Sequence, residues 1–311
     1  MWHFLITDLV APAQSTVEEF LPRLPRLEAL LARGRVTAEM PSWRHRLLAL
    51  AGQPWPAERE VPVGAHLAAA AGLPPAAGWA VATPVRCVAG LDHVQLQELG
   101  SSLSAALVAE FNATLGGPSG QLHVTPHANL WSFPQPLAVT THDPAPLVGH
   151  DVGPCLPAGS DAAVLRRWMT EAQMWLHGAG EPGRVNSLWP WGVGTAADAA
   201  SPPSLPWAVE GADPWVAALP CTSAAANAGA EKTAPSVTDE TTRVTLWRLA
   251  DHASAGGAFA AADAAWSDQL MYALRERGAI TVWLAGRCHE LRAADRWRFW
   301  RRWHTPRPWW Q

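Results

Sequence analysis

The run RVNSLWPWGVG, Arg184 to Gly194, gathers residue types that bind ligands. Arg184, Asn186 and Ser187 offer hydrogen-bonding groups, while Trp189 and Trp191 offer flat apolar walls. Gly192 and Gly194 let backbone approach a bound molecule where a Cβ would block it. The same composition also describes a buried strand with a glycine bend, its indoles filling space between layers. Pro190 removes one ladder donor and argues against a regular central strand.

A second group has the chemistry of metal ligands. His142, Asp143, His150 and Asp151 lie close together in sequence, with His123 and His127 upstream, and such side chains suit manganese or zinc. Pro126 keeps His123 and His127 from sharing a helical face, and no established zinc spacing appears. Solvated loop histidines are therefore the simpler expectation, and the chain is read as needing no cofactor, with a divalent metal as the alternative. His177 is expected to cap or pack on its helix. Asp8 ends an apolar, β-branched run, the position where α/β proteins place chemistry. Asp251 and His252 form a lone pair.

The C-terminal RWRFWRRWHTPRPWW interleaves Arg296, Arg298, Arg301 and Arg302 with Trp297, Phe299, Trp300 and Trp303. Guanidinium forks beside aromatic planes suit a protein partner, a phosphate ligand or single-stranded nucleic acid. As a strand, the tail would put Arg296, Arg298 and Trp300 on one face and Trp297, Phe299 and Arg301 on the other. Docking of the aromatics on the core, with the arginines solvated, is the simpler outcome. No phosphate-binding glycine loop, dinucleotide fingerprint or G-x-S-x-G elbow occurs, so nucleotide hydrolysis, dinucleotide redox and serine-hydrolase chemistry lose support.

The 311 residues are 49% hydrophobic and can fill a substantial core, while a net charge of −4 argues against nucleic acid or an anionic membrane as a general partner. A small ligand or a protein met through a local patch is the expected partner. Nineteen tryptophans against one tyrosine predict a dense aromatic core or an aromatic-lined groove. Cys87, Cys155, Cys221 and Cys288 are widely spaced without a C-x-x-C pair, as expected for reduced thiols of a cytoplasmic protein. MWHFLITDLVAPAQ lacks a basic leader and is broken by Asp8, which fits neither a signal peptide nor a membrane span.

The elements that must hold these groups alternate. WHFLITDLV predicts an opening strand, and a helix is expected from near Pro25 to Gly34. SWRHRLLALAG and VGAHLAAAAGLPP predict short helices; GWAVATPVRCVAG predicts a strand bent at Pro84. VQLQELGSSLSAALVAEFNATLG reads as a turn followed by a long helix, and QLHVTPHANLWSF and PLAVTTHD as strands. SDAAVLRRWMTEAQMWLHGA is the clearest helix, capped by Ser160 or Asp161, and VNSLWPWGVG follows as a strand. TRVTLWRLAD, GGAFAAADAAWSDQLMYALRERG and AITVWLAGRCHELR read as strand, helix and a strand pair turning at Gly286. The expected class is α/β, a mixed sheet flanked by helices in a single unit over 1–311, with a sub-domain at about 78–160 and a flexible insertion at about 222–242.

The segment MTEAQMWLHGAGEPGRVNSLWPWGVG resembles the RpfE family of bacterial regulatory proteins. Glu171, Gln173, Met174, His177, Val185, Asn186, Ser187, Leu188, Trp189, Trp191, Gly192 and Gly194 match its pattern, and RWRFWRR at Arg296 to Arg302 looks like its terminal motif. The resemblance covers most of the chain, loosely over 195–260. That family is in turn distantly similar to archaeal-type cofactor-independent phosphoglycerate mutases of the alkaline phosphatase superfamily. The resemblance implies a truncated alkaline-phosphatase-like fold.

Against the mutase pattern, Asp8 is followed by Leu9 where glycine is usual, and Val63 and Gly64 stand where the nucleophile segment carries serine and aspartate. No late Asp and His ligand segments follow Gly194. A phosphoenzyme needs a hydroxyl nucleophile held against metal, and neither Val63 nor Gly64 supplies one. The expectation is a non-catalytic regulatory or binding scaffold. One alternative is a metal-dependent mutase-like or phosphatase-like enzyme using Asp8 with some of His142, Asp143, His150, Asp151, Asp251 and His252; a second is a protein or single-stranded nucleic-acid binding module using the Arg/Trp-rich C-terminal tail.

Overall fold

The computed structural model describes residues 1–7, 24–91, 93–100, 102–117, 119–178, 185–211, 213–222, 242–248, 258–284 and 286–297. The insertion expected at about 222–242 lies almost wholly outside them.

The opening strand β1 (Trp2–Thr7) is buried from His3 onward because it lies between two parallel partners, β9 (Arg243–Arg248) and β10 (Ala279–Leu284). A strand covered on both sides and both faces reads as a continuous apolar run, as Phe4, Leu5 and Ile6 do. Strand β10 turns at Gly286 into antiparallel β11 (Arg287–Arg292), which pairs with the edge strand β2 (Arg35–Glu39); β8 (Val209–Glu210) closes the other edge. Helices α1 (Pro25–Leu31) and α8 (Ala258–Arg277) cover one face of this mixed sheet, packing Leu27, Leu31, Trp266 and Leu270 on Phe4, Ile6, Trp247, Ile280 and Val282. Leu24 cannot cap α1 with its side chain. The buried Asp263 of α8 does so instead, accepting the N–H groups of Arg26 at 3.1 Å and Leu27 at 2.8 Å.

A second sheet is antiparallel throughout. Its long strand β3 (Gly78–Ala89) pairs with β4 (Val94–Leu99), β6 (Asn129–Phe133) and β7 (Ser187–Thr195), and β5 (Gln121–Val124) pairs with β6. Helices α4 (Ala105–Leu115) and α5 (Ala162–Gly178) cover one face, where Phe111, Trp131, Phe133, Leu165 and Trp168 interlock. Between the sheets, α2 (Trp43–Leu50), α3 (Val63–Ala70) and α7 (Pro214–Ala218) share one core with Leu5, Val244 and Trp283 of the mixed sheet and Trp79, Val81 and Trp189 of the antiparallel one. Shorter elements among the described residues include α6 (Ala196–Ala200), capped by Thr195, and 3₁₀ turns at Ala145–Leu147, Gly153–Cys155 and Ala293–Trp297. Among the described residues no helix is long and apolar enough to cross a membrane.

Several expectations need correction. The single mixed sheet is two sheets. VQLQEL is strand β4 rather than a turn, with Leu96 buried and its neighbours Gln95, Gln97 and Glu98 more exposed; Ser104 then caps α4. PLAVTTHD is no strand beyond a bridge of Thr140 to Ala158, since Asp161 takes the N–H of Ala138 and Glu60 that of Thr141. The exposed edge strand β2 offered no apolar pattern to read.

Helix α3 lies almost in contact with strand backbone. A Cβ on Gly64 would stand 2.5 Å from Ala80 Cα, and one on Gly194 2.5 Å from Pro62 Cβ. Gly64→Ala is therefore expected to destabilise the chain by about 1–3 kcal/mol through overpacking against a backbone that cannot yield. Urea denaturation beside Ala69→Ser, a similarly small change near the end of the same helix, checks this; equal midpoints would refute it.

Candidate functional site

The helix N-cap Ser42 opens α2, whose second residue, Arg44, is 8% exposed. An arginine at that depth must be paired. Its Nη1 donates to Asp143 Oδ2 at 2.8 Å, and its Nη2 lies 3.9 Å from Asp213 Oδ2. Its guanidinium sits 4.5 Å from the ring of Trp43, 4.7 Å from Trp191 and 6.0 Å from Trp215. Three indoles and two carboxylates thus enclose one cation. Asp213 also caps α7 through the N–H groups of Trp215 and Val216, and Asp143 takes the N–H of Ala145, so both carboxylates are fixed from behind.

This group forms one end of a cavity of about 290 Å³ between the two sheets. Thr7, at the end of β1, lines it together with Val63 and Leu67 of α3, Val81, Thr83 and Pro84 of β3, Leu99, His127 and Asn129. Indole donors at the wall are engaged: Trp191 Nε1 donates to Thr83 Oγ1 at 2.8 Å, and Trp215 Nε1 to His66 Nδ1 at 3.2 Å. Burial lowers His66 to about 4, and accepting at Nδ1 keeps it neutral with its proton on Nε2.

Beside the cavity, Glu60 ties three segments together. Gly192 N–H donates to its Oε1 at 2.9 Å; Thr141 donates both its N–H, at 3.2 Å, and its hydroxyl to Oε2. Burial nevertheless raises the carboxyl to about 7, against those hydrogen bonds and the attraction of Arg44, which pull it down. Gly192 reaches the carboxylate with φ +62, a conformation that strains any residue with a Cβ, and a Cβ there would also meet Val63 at 2.8 Å.

Of the ligand-binding residues expected from the sequence, Trp191 alone lines the cavity among those described. Asn186 acts as one more strand residue: its side chain donates to Cys87 O at 2.6 Å and accepts Cys87 N–H at 2.8 Å. Ser187 is buried in β7, and Trp189 donates to His142 O at 2.7 Å. Gly192 and Gly194 admit α3 rather than a ligand. The metal candidates are dispersed: Asp143 holds Arg44, His142 meets Cys155 O, His150 O accepts Leu96 N–H, and Asp151 takes the N–H groups of Val94 and Gly153. Among the described residues no three His, Cys, Asp or Glu side chains are grouped to hold a metal. His123 hydrogen-bonds Ser132, and Arg296 belongs to the 3₁₀ turn at Ala293–Trp297. Asp8, Arg184, Asp251, His252, Arg298, Trp300, Arg301 and Arg302 lie outside the described residues.

Sequence reasoning missed Arg44, Glu60, Asp213 and Thr141. For Arg44 a signal existed, since it shares a helical face with Leu47 and Leu48, both buried. Glu60 lies in the polar run AERE and gave none.

No family model and no curated protein matches the chain. Among solved structures, it is similar to a cofactor-independent phosphoglycerate mutase from Thermoplasma acidophilum DSM 1728, at 14% identity over 93% of this chain and 88% of that one, with a TM-score of 0.35. A superposition at that level fixes no residue correspondence.

Burial also lowers His3 and His289 to about 4, aided by Arg46 and the N-terminus for His3 and by Arg287 for His289. With His66, these histidines contribute stability that is present above their ordinary value and lost as pH falls from there toward 4. Glu60 acts oppositely: its contribution is present below its ordinary value and lost as pH rises to about 7. Three histidines outweigh one carboxyl, so stability is expected to rise with pH and to level off near pH 7. In Glu60→Gln the rise should be steeper, a difference on the order of 2–3 kcal/mol across the window. Urea titrations from pH 5 to pH 8, a range set by roughly where these groups titrate, test it, and parallel profiles for the two proteins would refute it.

Proposed function

We propose that the chain is a non-catalytic regulatory or binding scaffold of the RpfE type, built on an alkaline-phosphatase-like ancestor, whose ligand site is the cavity between the sheets. One observation carries this reading: the cavity ends on an arginine already neutralised by two carboxylates and faced by three indoles. A phosphotransfer site needs such a cation available to phosphate, with a hydroxyl nucleophile beside it. Here apolar Val63 lines the wall, and Gly64 has no room for a side chain.

The enzyme reading keeps one supporting observation, that Thr7, next to Asp8, opens onto the cavity. The described donors do not suit the divalent metal that reading requires. Among the described residues no three His, Cys, Asp or Glu side chains are grouped to hold one.

Two measurements decide between the readings. Small aromatic compounds should shift the indole N–H resonances of Trp43, Trp191 and Trp215 selectively among the nineteen tryptophans, and Ala128→Phe or Ala145→Phe, both at the cavity wall, should abolish the shifts. Turnover of 3-phosphoglycerate or a phosphomonoester with added manganese should be absent. Turnover abolished by Asp8→Ala would overturn the proposal and restore the enzyme.

A further inference from the structure

Resting on the reading of the cavity as a binding site, we infer that its ligand is a compact organic cation, an amine or amidine carried on an apolar body. The charges on its wall decide the sign. Arg44 contributes one positive charge and Asp143 and Asp213 one negative charge each, so the wall is net negative before anything binds. A cationic ligand neutralises it, whereas an anion deepens the imbalance in a region of low dielectric.

The hydrogen-bonding inventory points the same way. Among the described residues, the one cation of the lining and two of its indole donors are taken: Arg44 is charge-paired with Asp143 and Asp213, Trp191 donates to Thr83 and Trp215 to His66. A carboxylate or phosphate approaching the guanidinium would meet the repulsion of both Asp143 and Asp213. Acceptors are in better supply. Each ionised carboxylate offers about four lone-pair positions. The side chain of Asp143 remains 22% exposed and that of Asp213 11%, against 10% for Arg44 between them. An ammonium could join Arg44 as a second donor to either carboxylate without displacing it.

The remainder of the cavity suits an apolar body. Val63, Val81, Pro84, Leu99 and Pro126 line it, and its volume of about 290 Å³ corresponds to roughly ten waters, enough for a single ring with a short arm. Aromatic walls beside paired carboxylates recognise such cations by ring quadrupole and charge together.

Titration calorimetry of the full chain at neutral pH with benzylamine, benzyl alcohol and benzoate tests the inference, because the three differ chiefly in charge. Benzylamine is expected to bind at least about tenfold tighter than benzyl alcohol, with benzoate weakest. Asp143→Asn and Asp213→Asn, which keep the amide-accepting oxygens that fix these residues, should each weaken benzylamine by about tenfold and leave benzyl alcohol unchanged. Circular dichroism identifies a variant that has not folded, and the other then carries the comparison. Benzoate binding as well as benzylamine would overturn the inference. Benzyl alcohol binding equally well, and blocked by Ala128→Phe, would overturn the cation preference while leaving the cavity as a binding site. Silence from all three, with the indole resonances unmoved, would overturn both.

Discussion

The carboxyl of Glu60 is the constraint on which the centre of the molecule depends. It receives N–H groups from Gly192 and Thr141 and the Thr141 hydroxyl, and so joins strand β7, the loop at 141–143 and the approach to α3. Each of those segments presents something to Arg44. Trp191 precedes Gly192 and stacks on the guanidinium; Asp143 follows Thr141 by two residues and pairs with it; α3 supplies the wall at Val63. His142, between them, accepts the indole of Trp189. One buried acid therefore sets the positions of groups that are remote in sequence, and its proton affinity reflects a contest in which desolvation outweighs three donors.

Much of the secondary structure was legible in the sequence because local rules decided it. Pro25 starts α1, Ser42 caps α2, and the apolar spacing of Leu165, Trp168, Met169, Ala172 and Leu176 defines the buried face of α5. What escaped was long-range. Nothing in RVTAE announces an edge strand, and alternating strands and helices did not reveal that the strands divide into two sheets. The site was less legible still. Arginine and glutamate read as surface residues by default, and only tertiary structure shows Arg44 surrounded by indoles and Glu60 by amides.

The tryptophan-proline-tryptophan-glycine run was conspicuous, and its role in the structure is chiefly architectural. Its tryptophans fill the helical layer and donate to His142 and Thr83, while Gly192 and Gly194 clear the space into which α3 settles. Gly64 makes the matching clearance from the helix side against Ala80. The positions that resemble a nucleophile segment are thus occupied by packing. A serine or aspartate at residue 64 would have to displace the backbone of β3, so the tight seating of the helix holds that position to glycine.

The two sheets also differ in how far along the chain their partners lie. The antiparallel sheet is complete within residues 78–195, whereas β1 finds its neighbours only at 243–248 and 279–284, so that His3 and Thr281 meet across 278 positions. A ribosome adding about 5–20 residues per second would release β1 roughly ten to fifty seconds before those neighbours emerge. Through that interval Phe4, Leu5 and Ile6 form an apolar strand with no ladder to join, a hazard for self-association that chaperones exist to cover. Closing so long a loop is entropically costly and slow. The central strand of the mixed sheet is therefore made well before the strands that secure it, and a chain that stops short of β10 leaves it permanently without its second partner.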